Sequence, residues 1–402
     1  MSLKVAIVGG GASGMMAAIS AARNGAEVTI YERLDRVGKK ILATGNGRCN
    51  LTNRHAGISD YHGKNTKFLM SAISQFWIDE TLSFFEELGI VFKEEDAGKM
   101  YPYSEQASSV LDVLRMELQR LSVTIIPDFE VEKIQVQKDG FSLISYKNQK
   151  AFSNRVIIAT GGKAAPNLGS NGSGYTICEA LGHHITALAP SLVQLKCENT
   201  KGLQGLKINA KATLQTNSKS FSESTGEVLF TDYGLSGPPI FHISAYCAFQ
   251  KNLFVSLDLM PEHTQEEIIS LLYNRKTKQK NLEAYLVGML PKKIACAVLK
   301  HSGLSPLSRG SDSLSKTEII QLAHNIKNWE FPITGTQSWN NAQVTAGGVL
   351  TEEINPSTME SKKVPGIYLT GELLDIDGNC GGYNLQWAWS SGYIAGVNAS
   401  KN

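Results

Sequence analysis

The chain has 402 residues, of which 42% are hydrophobic and 19% are charged, and its formal net charge at pH 7 is +2. This length predicts two or three domains, and the balance of apolar and charged residues excludes extended disorder. A charge so close to zero gives no support to binding of nucleic acid or of a membrane surface, so neither partner is expected.

Six cysteines are scattered singly along the chain, and no two of them form a Cys-x-x-Cys pair. This spacing predicts neither a zinc site nor a dithiol redox centre, and no metal is expected. The sequence has no signal-peptide pattern and no window close to the roughly 20 apolar residues of a membrane-spanning helix. We therefore expect a reduced, soluble, cytoplasmic protein.

The N-terminal segment has the pattern of a dinucleotide-binding βαβ unit, beginning with an apolar strand over residues 5–8. The turn after this strand has the Gly-x-Gly-x-x-Gly pattern and consists of Gly9, Gly10, Gly11, Ala12, Ser13 and Gly14. Gly9 permits the tight turn, Gly11 lets the backbone approach a pyrophosphate, and Gly14 lets the helix pack against the strand. The helix that follows directs its free N–H groups and its dipole toward the phosphates.

A second strand over residues 27–31 leads into Glu32, whose carboxylate can accept hydrogen bonds from both hydroxyls of an adenosine ribose. The same carboxylate would repel a 2′-phosphate, which disfavours an NADP-like ligand at this site. A glycine-rich turn without a ligand is the alternative interpretation. This unit does not distinguish FAD from NAD.

The loop after the second strand is long and places basic side chains among glycines and small polar residues. Such a loop can wrap an extended dinucleotide, although a solvated basic loop is the alternative. The candidate cofactor contacts in this region are Arg33, Lys40, Gly45, Gly47, Arg48, Cys49 and Asn50.

A run of short strands follows over residues 123–126, 130–136 and 141–146, with turn residues at 138–140. An apolar strand then ends in Ala-Thr-Gly, and its turn contributes Thr160, Gly161 and Gly162 to the candidate site. This inserted β meander is typical of two-dinucleotide-binding flavoproteins. In that arrangement Val131 presents its backbone to the adenine.

The C-terminal segment contains a strand, a polar glycine-rich loop and a helix over residues 385–396. Free N–H groups at such a loop-to-helix junction can face the pyrimidine oxygens of a flavin and stabilise negative charge there. A purely structural helix packed by its glycines is the alternative. The candidate contacts are Gly371, Glu372, Gly382, Tyr383, Asn384 and Leu385. One extended ligand touched by three distant segments fits FAD better than NAD.

With these segments the chain resembles a family of three-domain bacterial flavoproteins that includes an aminoacetone oxidase and a bile-acid reductase. The resemblance covers essentially the whole chain and rests on residues 45–53, 230–238, 371–372 and 381–386. The family usually has a third glycine where this chain has Asn46.

The resemblance implies an α/β fold with a two-dinucleotide-binding, Rossmann-like FAD domain, interrupted by a β-barrel-like domain and a small helical insert domain. We assign residues 1–190 and 345–402 to the FAD domain, 191–260 and 330–344 to the barrel-like substrate domain, and 261–329 to the helical insert. Capping boxes at Thr264 and Ser315 predict two helices in the insert.

The leading functional hypothesis is an FAD-dependent oxidoreductase that transfers a hydride between flavin N5 and a small organic substrate, with O₂ or NAD(P)H as redox partner. Two alternatives remain open: an FAD-binding redox sensor or RNA-associated flavoprotein without small-molecule turnover, and an NAD-binding dehydrogenase. Tyr383 and Asn384 are candidate catalytic groups only because they should lie near the flavin. The sequence predicts neither the substrate nor the oligomeric state.

Several other patterns are interpreted as structural rather than functional. The basic run over residues 275–280 is interpreted as a solvated turn, and the pair at 183–184 as structural histidines. Cys49 and Cys380 are interpreted as small residues packed beside the cofactor. The segment 231–239 is either a loop that covers the flavin or a rigid turn between a strand and a helix.

Overall fold

The computed structural model describes residues 2–401, which form two compact units. The first unit extends to Pro190 and resumes at Trp339, and the second is Ser191–Ser338. No helix within the described residues is long and apolar enough to cross a lipid bilayer.

The first unit begins with six helices and eleven strands. The helices are α1 (Ala12–Arg23), α2 (Lys39–Ala43), α3 (Leu69–Ile73), α4 (Ile78–Glu87), α5 (Ala107–Arg120) and α6 (Ser173–Ala180). The strands are β1 (Lys4–Val8), β2 (Glu27–Tyr31), β3 (Thr52–Asn53), β4 (Tyr61–His62), β5 (Phe92–Glu95), β6 (Lys99–Pro102), β7 (Thr124–Ile126), β8 (Val131–Gln137), β9 (Gly140–Ser145), β10 (Lys150–Ser153) and β11 (Arg155–Ile158). The chain then passes to the second unit through β12 (Ala189–Ser191).

The second unit contains six strands and five helices. They are β13 (Leu195–Cys197), β14 (Lys207–Gln215), β15 (Ser220–Phe230), β16 (Gly234–Ser236), α7 (Pro238–Ser244), β17 (Phe254–Asp258), α8 (Gln265–Arg275), α9 (Leu282–Tyr285), α10 (Lys292–His301), α11 (Lys316–Lys327) and β18 (Trp329–Thr336). The chain returns to the first unit with β19 (Val344–Ala346), β20 (Ile367–Leu369), β21 (Asp377–Gly378) and α12 (Tyr383–Ala399).

The centre of the first unit is a five-stranded parallel sheet in the order β20-β11-β1-β2-β7. Val5 of β1 lies between Arg155 of β11 and Val28 of β2, and every residue of β1 after the exposed Lys4 is buried. A strand flanked on both sides and covered on both faces needs the unbroken apolar run that the sequence shows. The predicted α/β Rossmann-like architecture is therefore confirmed.

The predicted strands at 130–136 and 141–146 are β8 and β9 of an antiparallel meander, and its third strand is β10. The prediction that 123–126 belongs to this meander was wrong, because β7 pairs in parallel with β2 at the edge of the central sheet.

Helices α1 and α12 pack so closely that their backbones are in contact. A Cβ atom at Gly392 would lie 2.4 Å from the carbonyl oxygen of Ser13, and one at Gly396 would lie 2.3 Å from that of Ala17. The two helices approach this closely because both present small residues to the contact. The N-terminal and C-terminal segments of the chain are thereby fixed together.

The second unit is a closed barrel in the strand order β13-β16-β15-β14-β17-β18, together with helices α8–α11. Barrel residues such as Phe331 and helix residues such as Leu272 belong to one hydrophobic core. The predicted capping box at Thr264 is present, since its hydroxyl accepts a hydrogen bond from the Glu267 amide at 3.2 Å. The second predicted box, at Ser315, is also present.

The segment 231–239 forms a rigid turn. Residues 234–236 are the barrel strand β16, and α7 begins directly afterwards at Pro238. Between them Gly237 has φ of +106°, and a Cβ atom there would lie 2.2 Å from the carbonyl oxygen of Glu227. Of the two interpretations of this segment, the structure favours the turn that joins a strand to a helix.

The two adjacent histidines belong to a polar cluster in the first unit. Nδ1 of His183 lies 2.9 Å from Glu353 Oε2, and its Nε2 lies 2.9 Å from Ser361 Oγ. Nδ1 of His184 lies 2.5 Å from Glu353 Oε1, and Lys363 also pairs with this carboxylate at 2.7 Å. The cluster joins the end of α6 to two later loops, as a structural role requires.

We expect Gly396→Ala to lower the free energy of unfolding by about 1–3 kcal/mol, because the added methyl group must force α1 and α12 apart. Val397→Ala, one residue further along α12 and partly exposed, is the matched control and should cost less. Urea unfolding of both variants measures the difference. Equal stability of Gly396→Ala and wild type would contradict the packing argument.

We expect the stability of the protein to fall in two steps as pH decreases. Burial lowers the pKa of His183 from 6.5, so below that pH the unfolded chain gains a proton that the folded protein resists. Burial raises the pKa of Glu353, but hydrogen bonds led by those of Lys363 and His184 lower it overall to about 2. Stability that depends on this carboxylate is therefore lost as pH falls from 4.5 toward 2.

Urea unfolding between pH 7.5 and pH 5 tests the first step. The loss of stability over this range should be smaller in His183→Gln than in wild type. An unchanged pH dependence in the variant would show that another group causes the loss.

Candidate functional site

The glycine-rich turn joins β1 to α1, and each of its glycines has a distinct environment. Gly9 has φ of +103°, and a Cβ atom there would lie 2.6 Å from the carbonyl oxygen of Ala159. A Cβ atom at Gly14 would lie 2.0 Å from the carbonyl oxygen of Gly9. A Cβ atom at Gly11 would meet no atom of the described protein within 4 Å. Packing explains the first two glycines, whereas the third leaves space for a ligand.

The N-terminus of α1 faces this space. Gly11 caps the helix without a side-chain hydrogen bond, and Met15 is the first residue whose amide donates back to it, at 2.9 Å. The amides of Ala12, Ser13 and Gly14 precede the first intrahelical hydrogen bond, as at any helix start. A helix N-terminus of this kind can accept a phosphate group.

Glu32 lies at the end of β2 and is buried. Its Oε2 accepts a hydrogen bond from the Gly10 amide at 2.7 Å, and its Oε1 accepts one from the Leu34 amide at 2.8 Å. These two amides fix the carboxylate beside the glycine-rich turn. Each oxygen retains a lone pair for a ribose hydroxyl.

Arg33 and Val131 lie next to Glu32. The backbone carbonyl of Glu32 accepts a hydrogen bond from Phe129 at 3.0 Å, two residues before the buried Val131. The Arg33 guanidinium donates to the carbonyl of Pro166 at 3.1 Å, while its buried Nε has no hydrogen-bond partner among the described residues. A cavity of about 110 Å³, lined in part by Arg33, opens beside them.

The basic loop contains consecutive residues in the left-handed region. Gly45, Asn46 and Gly47 have φ of +56°, +56° and +84°. Asparagine is one of the few residues that tolerate this conformation, which explains why Asn46 can occupy a position where the family usually has glycine.

Two of the cations of this loop, Lys40 and Arg48, are paired with distant carboxylates. Lys40 Nζ lies 2.9 Å from Glu372 Oε2, and Arg48 pairs with Glu95 at 2.5 Å. The Arg48 guanidinium also lies over the ring of Tyr101, at 4.2 Å from its centroid. Arg48 is therefore held against β5 and β6.

Cys49 and Asn50 are buried behind the loop. Burial raises the pKa of the Cys49 thiol to about 12, so the group stays protonated and unreactive at neutral pH. The side-chain oxygen of Asn50 is buried and accepts no hydrogen bond from a described residue. It lies close to Gly382, where a Cβ atom would be 2.9 Å away.

The turn after β11 is held by Glu372 and by a residue that the sequence did not indicate, Thr345. The Thr345 amide donates to Glu372 Oε1 at 2.9 Å, and its hydroxyl accepts from the amide of Lys163 at 2.8 Å. A Cβ atom at Gly162 would lie 2.4 Å from the Thr345 hydroxyl. Thr345 is about 180 residues away along the chain, so no local pattern could have identified it.

Thr160 and Gly161 complete this turn. Gly161 has φ of +71°, and a Cβ atom there would lie 2.8 Å from Ser170 Oγ. The Thr160 side chain fills the space beside Gly174, where a Cβ atom would lie 1.9 Å from its hydroxyl. These contacts place small residues and backbone at the carboxyl end of β11.

The strand β20 ends beside α1 and α12. Gly371, with φ of +65°, would place a Cβ atom 2.8 Å from Ser13 Oγ, and its amide donates to Ser391 at 2.9 Å. The adjacent Thr370 hydroxyl is buried and has no hydrogen-bond partner in the part of the chain that the structure describes. The N-terminal turn and the C-terminal loop therefore meet at Ser13.

Helix α12 begins after Gly382, whose φ is +98°, without a side-chain cap. Asn384 donates to and accepts from the backbone of Gly378 at 2.8 Å, which holds the preceding loop on the helix. Tyr383 is partly buried, and burial raises the pKa of its hydroxyl to about 12. Leu385 packs against the core of the unit.

Residues outside the predicted set also position this helix. Asn53 donates to the carbonyl of Gly381 at 3.1 Å, and Tyr61 donates to that of Tyr383 at 2.9 Å. His62 Nε2 lies 2.8 Å from Asn379 Oδ1. The two-residue strands β3 and β4 bring these groups here, and such short strands leave no periodic signal in the sequence.

The arrangement fits an extended dinucleotide. The N-termini of α1 and α12 belong to one unit, and the close packing of these helices holds them there. Beside Gly11 there is space that no atom of the described residues fills. Six buried side-chain atoms have no hydrogen-bond partner among the described residues; Arg33 Nε, Arg48 Nε, Asn50 Oδ1 and Thr370 Oγ1 belong to this unit, and the other two, on Gln194 and Trp329, belong to the second. Such atoms require a hydrogen-bonding ligand or water.

The comparisons with known proteins identify the family. The family model described as the HI0933-like protein Rossmann domain matches residues 3–398. The chain belongs to this family. It is an FAD-dependent oxidoreductase, and the resemblance that the sequence motifs indicated is confirmed.

Two curated relatives align over almost their whole length with this flavoprotein. It is 41% identical to a 3-dehydro-bile acid delta(4,6)-reductase from Clostridium scindens, covering 99% of each chain. It is 33% identical to a ribosomal RNA dihydrouridine synthase from Haemophilus influenzae, covering 98% of each chain.

A solved structure shares the fold. The 3-ketosteroid-delta4-(5alpha)-dehydrogenase from Rhodococcus jostii RHA1 aligns with a TM-score of 0.50 over 100% of this chain and 97% of its own, at 15% identity. Similarity at this identity concerns the architecture alone.

We expect Gly11→Ala and Gly14→Ala to separate cofactor binding from folding. Gly11 has φ of −80°, which alanine can adopt, so its variant should keep wild-type stability without cofactor and bind FAD roughly tenfold or more weakly. Gly14→Ala should lose about 1–3 kcal/mol of stability because of its contact with the Gly9 carbonyl. Titration of the apoprotein with FAD, together with urea unfolding, measures both. Unchanged FAD affinity of Gly11→Ala would contradict the proposed phosphate site.

Proposed function

We propose that this flavoprotein reduces a carbon–carbon double bond that is conjugated to a carbonyl group. The observation that carries the proposal is the chemistry shared by the names of its two relatives. A 3-dehydro bile acid with 4,6 double bonds is a conjugated ketone, and dihydrouridine is uridine with its conjugated ring double bond saturated. Both reactions add two hydrogen atoms across such a bond.

We further propose that the sequence-predicted residues bind the cofactor. The glycine-rich turn and the start of α1 would hold the pyrophosphate, Glu32 the adenosine ribose, and the start of α12 the flavin. When bound, FAD supplies a two-electron store from which a hydride can pass to a carbon atom.

The start of α12 would stabilise negative charge. The amides of Tyr383, Asn384 and Leu385 precede the first intrahelical hydrogen bond, in which Gln386 donates to Gly382 at 3.0 Å. The Asn384 side chain is committed to Gly378, so it acts as a positioning residue. The Tyr383 hydroxyl, with its raised pKa, would remain a proton and hydrogen-bond donor at neutral pH.

The proposed direction requires an electron donor, which we take to be NADH or NADPH. The sequence contains no second complete Gly-x-Gly-x-x-Gly unit in a strand–helix context. A nicotinamide donor would therefore bind transiently, in exchange with the substrate.

An anaerobic spectroscopic experiment tests the proposed reaction. We expect the visible bands of the oxidised flavin to bleach on addition of NADH or NADPH. They should return on addition of a 3-oxo steroid with a conjugated double bond, while its saturated analogue, the matched control, should have no effect. If the saturated compound alone bleaches the oxidised flavin, and the bands return when O₂ is then admitted, the protein is an oxidase instead.

A second candidate substrate is a uridine in ribosomal RNA. Two relatives favour it, the Haemophilus influenzae synthase and one from Escherichia coli that is 32% identical over 96% of this chain and 95% of its own. Ribosomal RNA from a strain that lacks its ribosomal RNA dihydrouridine synthase gene would be incubated with the enzyme and NADH or NADPH, then digested and analysed by mass spectrometry. A uridine that gains the mass of two hydrogen atoms supports this candidate, and unchanged RNA excludes it.

A further inference from the structure

The helical segment of the second unit has an excess of basic over acidic side chains. Residues 261–329 contain ten Lys and Arg against six Asp and Glu, whereas the whole chain contains 39 against 37. The remaining residues therefore have more acidic than basic side chains. The near-neutral net charge is therefore the sum of a basic excess in this segment and a small acidic excess in the rest of the chain.

The basic side chains of this segment are exposed and largely unpaired. Four lysines are exposed and form no salt bridge with any described residue: Lys278, Lys280, Lys293 and Lys300. In the barrel, the exposed Lys207 pairs with Glu227 and the partly exposed Lys211 with Glu223, each at 2.8 Å, whereas the exposed Lys196 and Lys201 form no salt bridge with a described residue. A surface that is only solvated normally mixes both signs of charge.

These lysines lie on one continuous part of the second unit. The Arg275 guanidinium at the end of α8 donates to the Tyr285 carbonyl at 2.9 Å, which fixes the turn of residues 276–280 against α9. Lys292 at the start of α10 pairs with Glu283 of α9 at 2.8 Å. Lys293 and Lys300 are seven residues apart on α10, so they share one helix face at a separation of roughly 10 Å.

The turn and helices beneath the lysines are well packed. Leu272, Leu282 and Tyr285 are fully buried, and the Tyr285 hydroxyl donates to the Leu272 carbonyl at 2.6 Å. Tyr273 and Val287, in contrast, are 40% and 50% exposed within the same region. The lysines therefore lie on a well-packed part of the unit, and the exposed ring of Tyr273 lies in the same region. Basic side chains together with an exposed aromatic ring are typical of nucleic-acid binding surfaces.

We propose that Lys276, Lys278, Lys280, Lys293 and Lys300, here called the basic surface, bind the phosphate backbone of ribosomal RNA. The proposal rests on the second candidate substrate, because RNA must be held while one of its uridines is reduced. An unpaired row of lysines complements phosphates through charge and counterion release without reading sequence. It supplies affinity and orientation, and leaves recognition of the base to the flavin site.

The test compares two triple variants of the holoenzyme. K278E/K280E/K293E reverses charges on the basic surface, and K133E/K138E/K150E reverses three exposed lysines of the β meander as a matched control. Filter binding to in-vitro transcribed ribosomal RNA is measured over a range of salt concentrations. We expect roughly tenfold or greater loss of affinity in the first variant alone. The slope of log affinity against log salt should fall by about 2–3.

Reduction of the conjugated steroid ketone is measured in parallel and should be unchanged in both variants. If wild type binds RNA and both variants bind it equally well, the basic surface is not the binding site, while the second candidate substrate still stands. If wild type binds no RNA, or binds vesicles of anionic phospholipid instead, the surface proposal and the RNA candidate both fail. The proposal of a conjugated-bond reductase would survive either result.

Discussion

The candidate site depends on the contact between α1 and α12. Gly392 and Gly396 let the two helices touch at backbone distance, and this contact fixes the two helix N-termini relative to each other. The proposed site would contact a dinucleotide at its pyrophosphate and at its flavin, and the two sets of donors come from opposite ends of the chain. Any side chain larger than hydrogen at the contact would separate them.

A network around Glu372 holds the middle of the site in the same way. Its carboxylate accepts from the Thr345 amide and pairs with Lys40, each at 2.9 Å, so three distant segments converge on one side chain. Such a network gives the cofactor a preorganised environment, because the protein has already ordered these groups. The chemistry itself belongs to the cofactor, and the chain contributes position and charge.

Cations with and without a salt-bridge partner both occur in this protein. In the first unit, Lys40 and Arg48 are paired with carboxylates, whereas the exposed lysines of the β meander and, apart from Lys292, those around α8 to α10 form no salt bridge with a described residue. The net charge of +2 averages an excess of four basic side chains in residues 261–329 and an excess of two acidic ones in the rest. The exposure of Lys278 and Lys280 agrees with the interpretation of 275–280 as a solvated turn, and RNA binding there is a proposal.

The sequence by itself determined the strands, helices and turns whose signals are local. The apolar run of β1, the Gly-x-Gly-x-x-Gly turn, the capping boxes and the glycine-rich start of α12 each follow from a few consecutive residues. Tertiary structure alone decided which distant groups meet: Thr345 with Glu372, Asn53 with Gly381, and the paired state of Arg48. Long-range hydrogen bonds and ion pairs have no period along the chain, so only the packed fold could reveal them.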